Sequence, residues 1–270
     1  MHTWLTRALM ATICVMLAVI VAGGQTQTRA YRAPRADGRP NLNGIWQSLS
    51  EAYWDIEAHA AAPGPIAQLG ASHVIAGGLG IVEGGMIPYK PEALQKKKDN
   101  YAHRLERDPE IKCYLPGVPR ANYMPYPFQI VQSPKHIMMV YTYATAVRTV
   151  YMDEHKEAPA DSWMGWSNGH WEGETLVVDT TGFNDQSWFD RAGNFHSDAL
   201  HVIERFTATD PDHLLYEATI EDPNVFTRPW KISLPLYRRV EKNAQLMELK
   251  CVEYVEDLIY GHLRKQPASQ

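Results

Sequence analysis

Residues Phe128–Asp153 read FQIVQSPKHIMMVYTYATAVRTVYMD. Three runs rich in β-branched and aromatic residues are separated by short polar or small-residue turns, and the apolar period within them is two. That is the period of a strand with alternate faces, and three such runs in succession specify an antiparallel meander. The same signature continues in ETLVVDTT, ALHVIERFTAT, HLLYEATIED, WKISLPLYRR and QLMELKCVEYVED, with turn signals at DPDH, EDPN and KNAQ. Upstream, LNGIWQSLS adds a short first strand entered through Gly44 and Trp46. Eight or more strands with a turn every ten residues or so predict a mainly β protein, either a single antiparallel β-barrel or a strongly curved sheet.

The N-terminal third reads differently. Met1–Gly24 has a basic residue at Arg7, an apolar run from Ala8 to Ala22 and small residues at the end, the pattern of a cleaved signal peptide. Residues 25–41 are polar and rich in Arg, Pro and Gly, a flexible leader. Within residues 42–126, AAPGPIAQLGASHVIAGGLGIVEGG reads as a long loop, and KPEALQKKKDNYAHRLERDPE as a helix with Pro91 in its first turn. Its buried stripe is expected at Leu94 and at Tyr101 or Leu105, with the lysines in water. Residues 127–256 carry the meander, 257–270 form a tail, and VEYVEDLIYGHLRK has the makings of a short closing helix. Residues 42–256 are expected to fold as one domain.

A chain of 270 residues, 45% hydrophobic, is long enough for one large core. Its net charge of −5, made more negative by loss of Arg7, provides no footprint for nucleic acid or an anionic membrane. No second apolar run follows the first, so no membrane insertion is expected after cleavage. The place expected for such a protein is the periplasm or the extracellular space. Cys113 and Cys251 remain after processing, without CxxC spacing; in an oxidising compartment they either pair or stay as free thiols.

The polar residues of Asn194–Phe206, NFHSDALHVIERF, raise the question of chemistry. Read as a strand, the segment puts His196, Asp198, Leu200, Val202, Glu204 and Phe206 on one face and His201 on the other. His201 and Glu204 therefore cannot ligate one metal, and no metal or cofactor is expected. On the apolar face, His196 oriented by Asp198, with Glu204 deeper in the pocket, makes a workable acid/base set. The alternative is a capped turn at His196–Asp198 and a Glu204 that bridges an interior arginine such as Arg148.

GWSNG, Gly165–Gly169, matches the Gly-x-Ser-x-Gly nucleophile pattern, with Asp190 and His196 following in chain order. The strand-turn-helix context that this elbow needs is missing, so Ser167 is expected to be a turn hydroxyl rather than a nucleophile. Trp163, Trp166, Trp171, Trp188 and Phe189 are either core packing or a stacking wall for a ligand. Arg120, among prolines and tyrosines, either holds a ligand anion or pins its own loop. Asp190, Trp171, Trp188, Arg120 and Arg148 complete the candidate binding set.

Two likenesses stand beside this reading. Gly-x-Trp at Gly44–Trp46, echoed by NGHWEG at Asn168, resembles the strand entrance of lipocalin-type barrels, in which the tryptophan plugs one end; this is fold analogy alone. The long segments YKPEALQKKKDNYAHRLERDPEIKCYLPGVPRANYMPYPFQIVQSPKHIMMVY, WMGWSNGHWEGETLVVDTTGFND and HSDALHVIERF resemble a family of exported bacterial proteins mostly labelled hypothetical. The resemblance runs from about Pro40 to Glu253 and implies export but no particular activity. The family pattern has counterparts of Cys113, Arg120, Trp171, Asp190, His196, Ser197, Glu204 and Arg205; it usually lacks a histidine at the place of His170.

The function expected is thus an exported barrel enzyme acting on a small, largely apolar organic molecule by acid/base chemistry, as an isomerase, lyase or hydrolase. A non-catalytic periplasmic binding protein for such a molecule is the alternative, and an envelope structural or assembly protein the third. The oligomeric state is left open by the sequence.

Overall fold

In the computed structural model, which describes residues 31–153 and 155–263, the meander closes on itself as a mainly β barrel. The expected signal peptide lies outside the described residues. Numbered in chain order, the barrel strands are β1 (Gly44–Gln47), β2 (Phe128–Gln132), β3 (His136–Tyr141), β4 (Val147–Tyr151), β5 (Trp166–Glu172), β6 (Thr175–Thr181), β7 (His201–Ala208), β8 (His213–Glu221) and β9 (Trp230–Arg238). Each pairs with the next, and β9 returns to β1.

One pair departs from the expected antiparallel order. β4 and β5 run parallel, joined only at Val150↔Ser167 and Tyr151↔Asn168. Strands that alternate in direction around a ring need an even number, and nine strands leave one pair pointing the same way. A parallel pair also needs a crossover in place of a hairpin. Residues 152–165 supply it, carrying the chain from the end of β4 back to the start of β5.

The barrel has a base and a cap. At the base, Trp46 is fully buried and donates its indole N–H to the Leu42 carbonyl at 3.0 Å. The Arg238 guanidinium lies 4.1 Å from the Trp46 ring centre and donates to the Asn43 carbonyl at 2.7 Å. Gly44 makes room for it: its φ is +151°, and a Cβ there would collide with Arg238 Nη1. The tryptophan plug expected from Gly-x-Trp is therefore formed, with an arginine clamped over it.

Alternation fills the barrel. Leu214, Tyr216, Ala218 and Ile220 of β8 and Trp230, Ile232, Leu234 and Leu236 of β9 all point inward and are buried. The interior is a packed core rather than a chamber.

Residues 48–126, 142–146, 182–200 and 222–229 lie at the other end and form the cap. Its helices are α1 (Pro91–Ala102) and α2 (Arg104–Arg107); a third, α3 (Val255–Tyr260), follows the barrel. The helix stripe of α1 differs from the expected one, since Leu94 and Tyr101 are exposed and Ala93 and Asn100 are buried. The cause is a close approach: Asn100 donates to the Gly193 carbonyl at 3.2 Å, and a Cβ at Gly193 would lie 2.8 Å from Asn100 Cβ. Only a small helix face fits there.

Two other expectations are corrected. The described part of the leader is not featureless, because Arg35–Ala36 pairs with Arg39–Pro40 in a small hairpin. QLMELKCVEYVED is not a strand: β9 already has β8 and β1 on its two sides, and a closed barrel has no edge for a tenth strand. That segment instead runs back to the cap, where Tyr254 N–H donates to the Ile111 carbonyl and Cys251 is bonded to Cys113. The paired-cysteine reading thus holds. Residues from Arg32 onward form one compact unit.

Candidate functional site

Glu204 projects from β7 into the barrel and is fully buried. It meets Arg148 of β4 in a two-pronged ion pair, Nη1 to Oε1 at 3.1 Å and Nη2 to Oε2. Oε1 also accepts from Asn122 Nδ2 at 2.8 Å and from the Tyr216 hydroxyl at 2.9 Å. Arg148 spends its remaining donors on Ser167 Oγ at 2.8 Å and Thr180 Oγ1 at 2.7 Å. Burial pushes the Arg148 pKa down, but Glu204 beside it more than reverses this, and the net direction is up. The Tyr216 hydroxyl is pushed up by burial and by the Glu204 charge. The carboxylate accepts four hydrogen bonds, two of them from the guanidinium, and is committed to this internal network.

Three expected roles fall with this network. Glu204 is a structural anion, the alternative foreseen for it. Ser167 lies inside β5 rather than in a turn, holds Arg148, and sits 3.1 Å from Thr180 Oγ1, so it is no nucleophile. Arg148 is held by the barrel and offers no free cation to a ligand.

His196 is placed elsewhere. It precedes β7 in the cap loop and is 1% exposed. Asp198, its expected orienting carboxylate, is exposed, because Ser197–Leu200 form a turn and not a strand. The ring is fixed instead by the Ser197 carbonyl, 2.9 Å from Nδ1, and by Ser187 Oγ, 2.8 Å from Nε2. Burial lowers the pKa of the imidazole, which favours the neutral ring. Nδ1–H then donates to the carbonyl, and Nε2 accepts from the serine. Ser197 is itself held by Asp222, whose carboxylate accepts from its N–H at 2.6 Å and its hydroxyl at 2.9 Å. Ser187 escaped the sequence reading; its only signal was a hydroxyl nine residues before His196 in a segment rich in aromatics.

The other candidates separate. Asp190 is buried and accepts from the N–H groups of Ile56, Ala192 and Asn194 and from Asn194 Nδ2, so it ties the 190–194 turn to the 48–56 segment. Burial and the nearby Asp55 push it up to about 7 against those donors. Arg120 pins its own loop, as in the second of its two readings, through Asp108 at 3.3 Å and Glu110 at 2.5 Å. Trp188 is packed in the core. Trp171 is partly exposed near the base, where it lines a cleft of about 460 Å³ with Arg39, Met152 and His170. His201, on the outer barrel face, lies between Asp179 at 2.9 Å and Glu221 at 3.1 Å.

The parallel pair opens the most suggestive space. Above the two-residue β4–β5 ladder the strands part, and a cleft of about 310 Å³ lies between them. Leu115, Val147, Tyr151, Trp163, Met164 and Trp166 line it. Tyr151 stacks on Trp166 with ring centres 4.6 Å apart, and Tyr114 leans on Trp163 at 4.7 Å. The Trp163 side is anchored by a parallel bridge from Ser162 to Phe183 and by the tight turn at Gly165, where a Cβ would lie 2.8 Å from Thr180 Cγ2. Arg148, Thr149 and Ser162 add polar groups to the lining, and an aromatic-walled space of this size with a few polar groups is the kind that holds a small organic molecule. The chain matches no known family profile and no curated protein.

Proposed function

We propose that this is an exported protein that binds a small, largely apolar organic molecule in the seam between β4 and β5. The observation that carries this reading is the aromatic cleft of Tyr151, Trp163 and Trp166 at the parallel seam, where two residue pairs join the strands and a crossover replaces the hairpin. Export is supported by the apolar run after Arg7 and by the Cys113–Cys251 bond, since disulfides persist in oxidising compartments. The ligand belongs at the seam rather than inside the barrel, where the packed core has no room. The acid/base enzyme reading loses Glu204 and Asp198 and keeps His196, now with Ser187.

Tryptophan fluorescence titrated with a panel of one- and two-ring aromatic compounds tests the proposal. Binding should quench or shift emission and raise Tm, and Trp163→Ala should weaken it by about threefold to tenfold, the worth of one aromatic pair. Equal affinity in Trp163→Ala, or no response to any member of the panel, would refute it.

A further inference from the structure

We propose that Ser187 and His196 are a nucleophile and its general base, placed behind the Trp163 wall of the seam cleft and acting on an ester of the apolar molecule bound there. The inference rests on the seam as the ligand site. Ser187 Oγ and His196 Nε2 are 2.8 Å apart, the reach required for proton transfer, and the other ring nitrogen is locked by a carbonyl. Asp222 acts one step back as a positioning residue, because it fixes Ser197 through two hydrogen bonds and Ser197 fixes the ring. Phe183 and Phe189 pack against the imidazole with ring centres 5.9 and 5.4 Å away, which keeps it dry.

The link to the cleft is Gly117. Its φ is +71°, a Cβ there would collide with Ser187 Oγ, and that same Cβ would lie 3.2 Å from the Trp163 carbonyl oxygen. Ser187 and the Trp163 main chain therefore meet at a residue with no side chain, and Leu115, two residues before it, lines the cleft. Ser187 is 2% exposed. Reaction needs the Leu115–Trp163 wall to turn outward. Tyr114, which braces Trp163, is 42% exposed.

The chemistry balances with water as the only co-reactant. Ser187 Oγ bonds to the ester carbonyl carbon as His196 Nε2 takes its proton. The ester C–O bond then breaks, and the departing alkoxide receives that proton. A water repeats the sequence on the acyl-serine, releasing the acid and restoring both side chains.

The full chain should be incubated with an alkyl fluorophosphonate and read by intact-protein and peptide mass spectrometry, alongside the fluorescence titration. The expected result is a single phosphonyl adduct on Ser187, with hydrolysis of a p-nitrophenyl acyl ester lost in Ser187→Ala and lowered by about a hundredfold or more in His196→Gln. Asp222→Asn should lower the rate and shift its pH profile while leaving ligand quenching unchanged. Ser187→Cys, which keeps a nucleophile of similar size, should restore covalent capture with a thiol-reactive acyl probe if Ser187→Ala fails to fold. Quenching by the apolar ligand with no adduct on Ser187 would overturn the inference and leave the binding proposal standing. Absence of quenching would overturn the binding proposal itself.

Discussion

Arg148 in the barrel and Arg191 in the cap are both clasped by a glutamate, and their surroundings differ. Arg148 is held by residues on β5, β6 and β7, whose relative positions are set by ladder registers, and its three nitrogens reach Ser167, Glu204 and Thr180. Arg191 grips Glu110 with bonds of 2.8 and 2.6 Å, but its partner, which Arg120 also holds, sits on a single 3₁₀ turn. Burial alone would push Glu110 up, and the two arginines hold it down at about 2. Around them the fit is looser: Arg120 Nε is buried with no partner among the described residues, and Arg191 borders a cleft of about 170 Å³ with Tyr126, Tyr143 and Val252. Around Arg148, where register fixes the backbone, all three guanidinium nitrogens find partners. Where loops fix it, gaps remain, and a ligand has somewhere to go.

The sharpest test of the barrel half of this contrast is Arg148→Met. It strands Glu204 in the core and should cost about 3–5 kcal/mol in chemical denaturation. Arg148→Met with Glu204→Leu should recover much of that loss, and a single variant as stable as the parent would show that the network is not sealed. On the cap side, Cys251→Ser releases a closure spanning 138 residues and should cost about 2–4 kcal/mol. Hydrogen exchange should then rise in 105–126 and 246–260 while β6–β9 stay protected, which would show the cap opening without the barrel. Gly44→Ala should displace Arg238 from Trp46 at a cost of roughly 1–3 kcal/mol, read as a red shift of the Trp46 emission.

The smallest effect belongs to His201, half-buried on the outer face. The hydrogen bond that His201 donates to Asp179, with Glu221 on the other side, raises its pKa, and the same contact lowers that of Asp179. A raised histidine contributes stability that is fully present below its unfolded value near 6.5 and is lost as pH rises through the folded value. The lowered aspartate contributes above its ordinary range and fades as pH falls through its folded value. Stability from this clamp is thus greatest between roughly pH 4 and 6.5, and solvent screening keeps it below about 1 kcal/mol. His201→Gln should flatten the pH dependence of Tm above 6.5, and an unchanged slope would remove the clamp.

Much of the barrel was legible because strand period and turn chemistry are local. Residues of β2 to β4 and β6 to β9 announce themselves by alternation, and Gly44–Trp46 marked the plug, whereas β5, with Asn168 and Gly169 in its middle, reads as a turn and was missed. Less of the site was legible. His196 and Glu204 share a parity only if the strand extends to Asn194, and Ser197–Leu200 break it with a turn whose hydrogen bonds go to Asp222, a residue on the far side of β8. Ser187 carries no pattern at all, since its partner is chosen by how the cap folds over.

The sequence by itself determined a mainly β chain, most of its strands, the Gly-x-Trp entrance to the first of them and two cysteines able to pair, because each depends on residues near in sequence or on simple elimination. Tertiary structure alone decided that nine strands close with one parallel seam, that Arg148 cancels Glu204, and that Ser187 meets His196. Ring closure, charge pairing and hydroxyl–imidazole contact all depend on distances between strands and loops remote in the chain, and no local propensity encodes those distances.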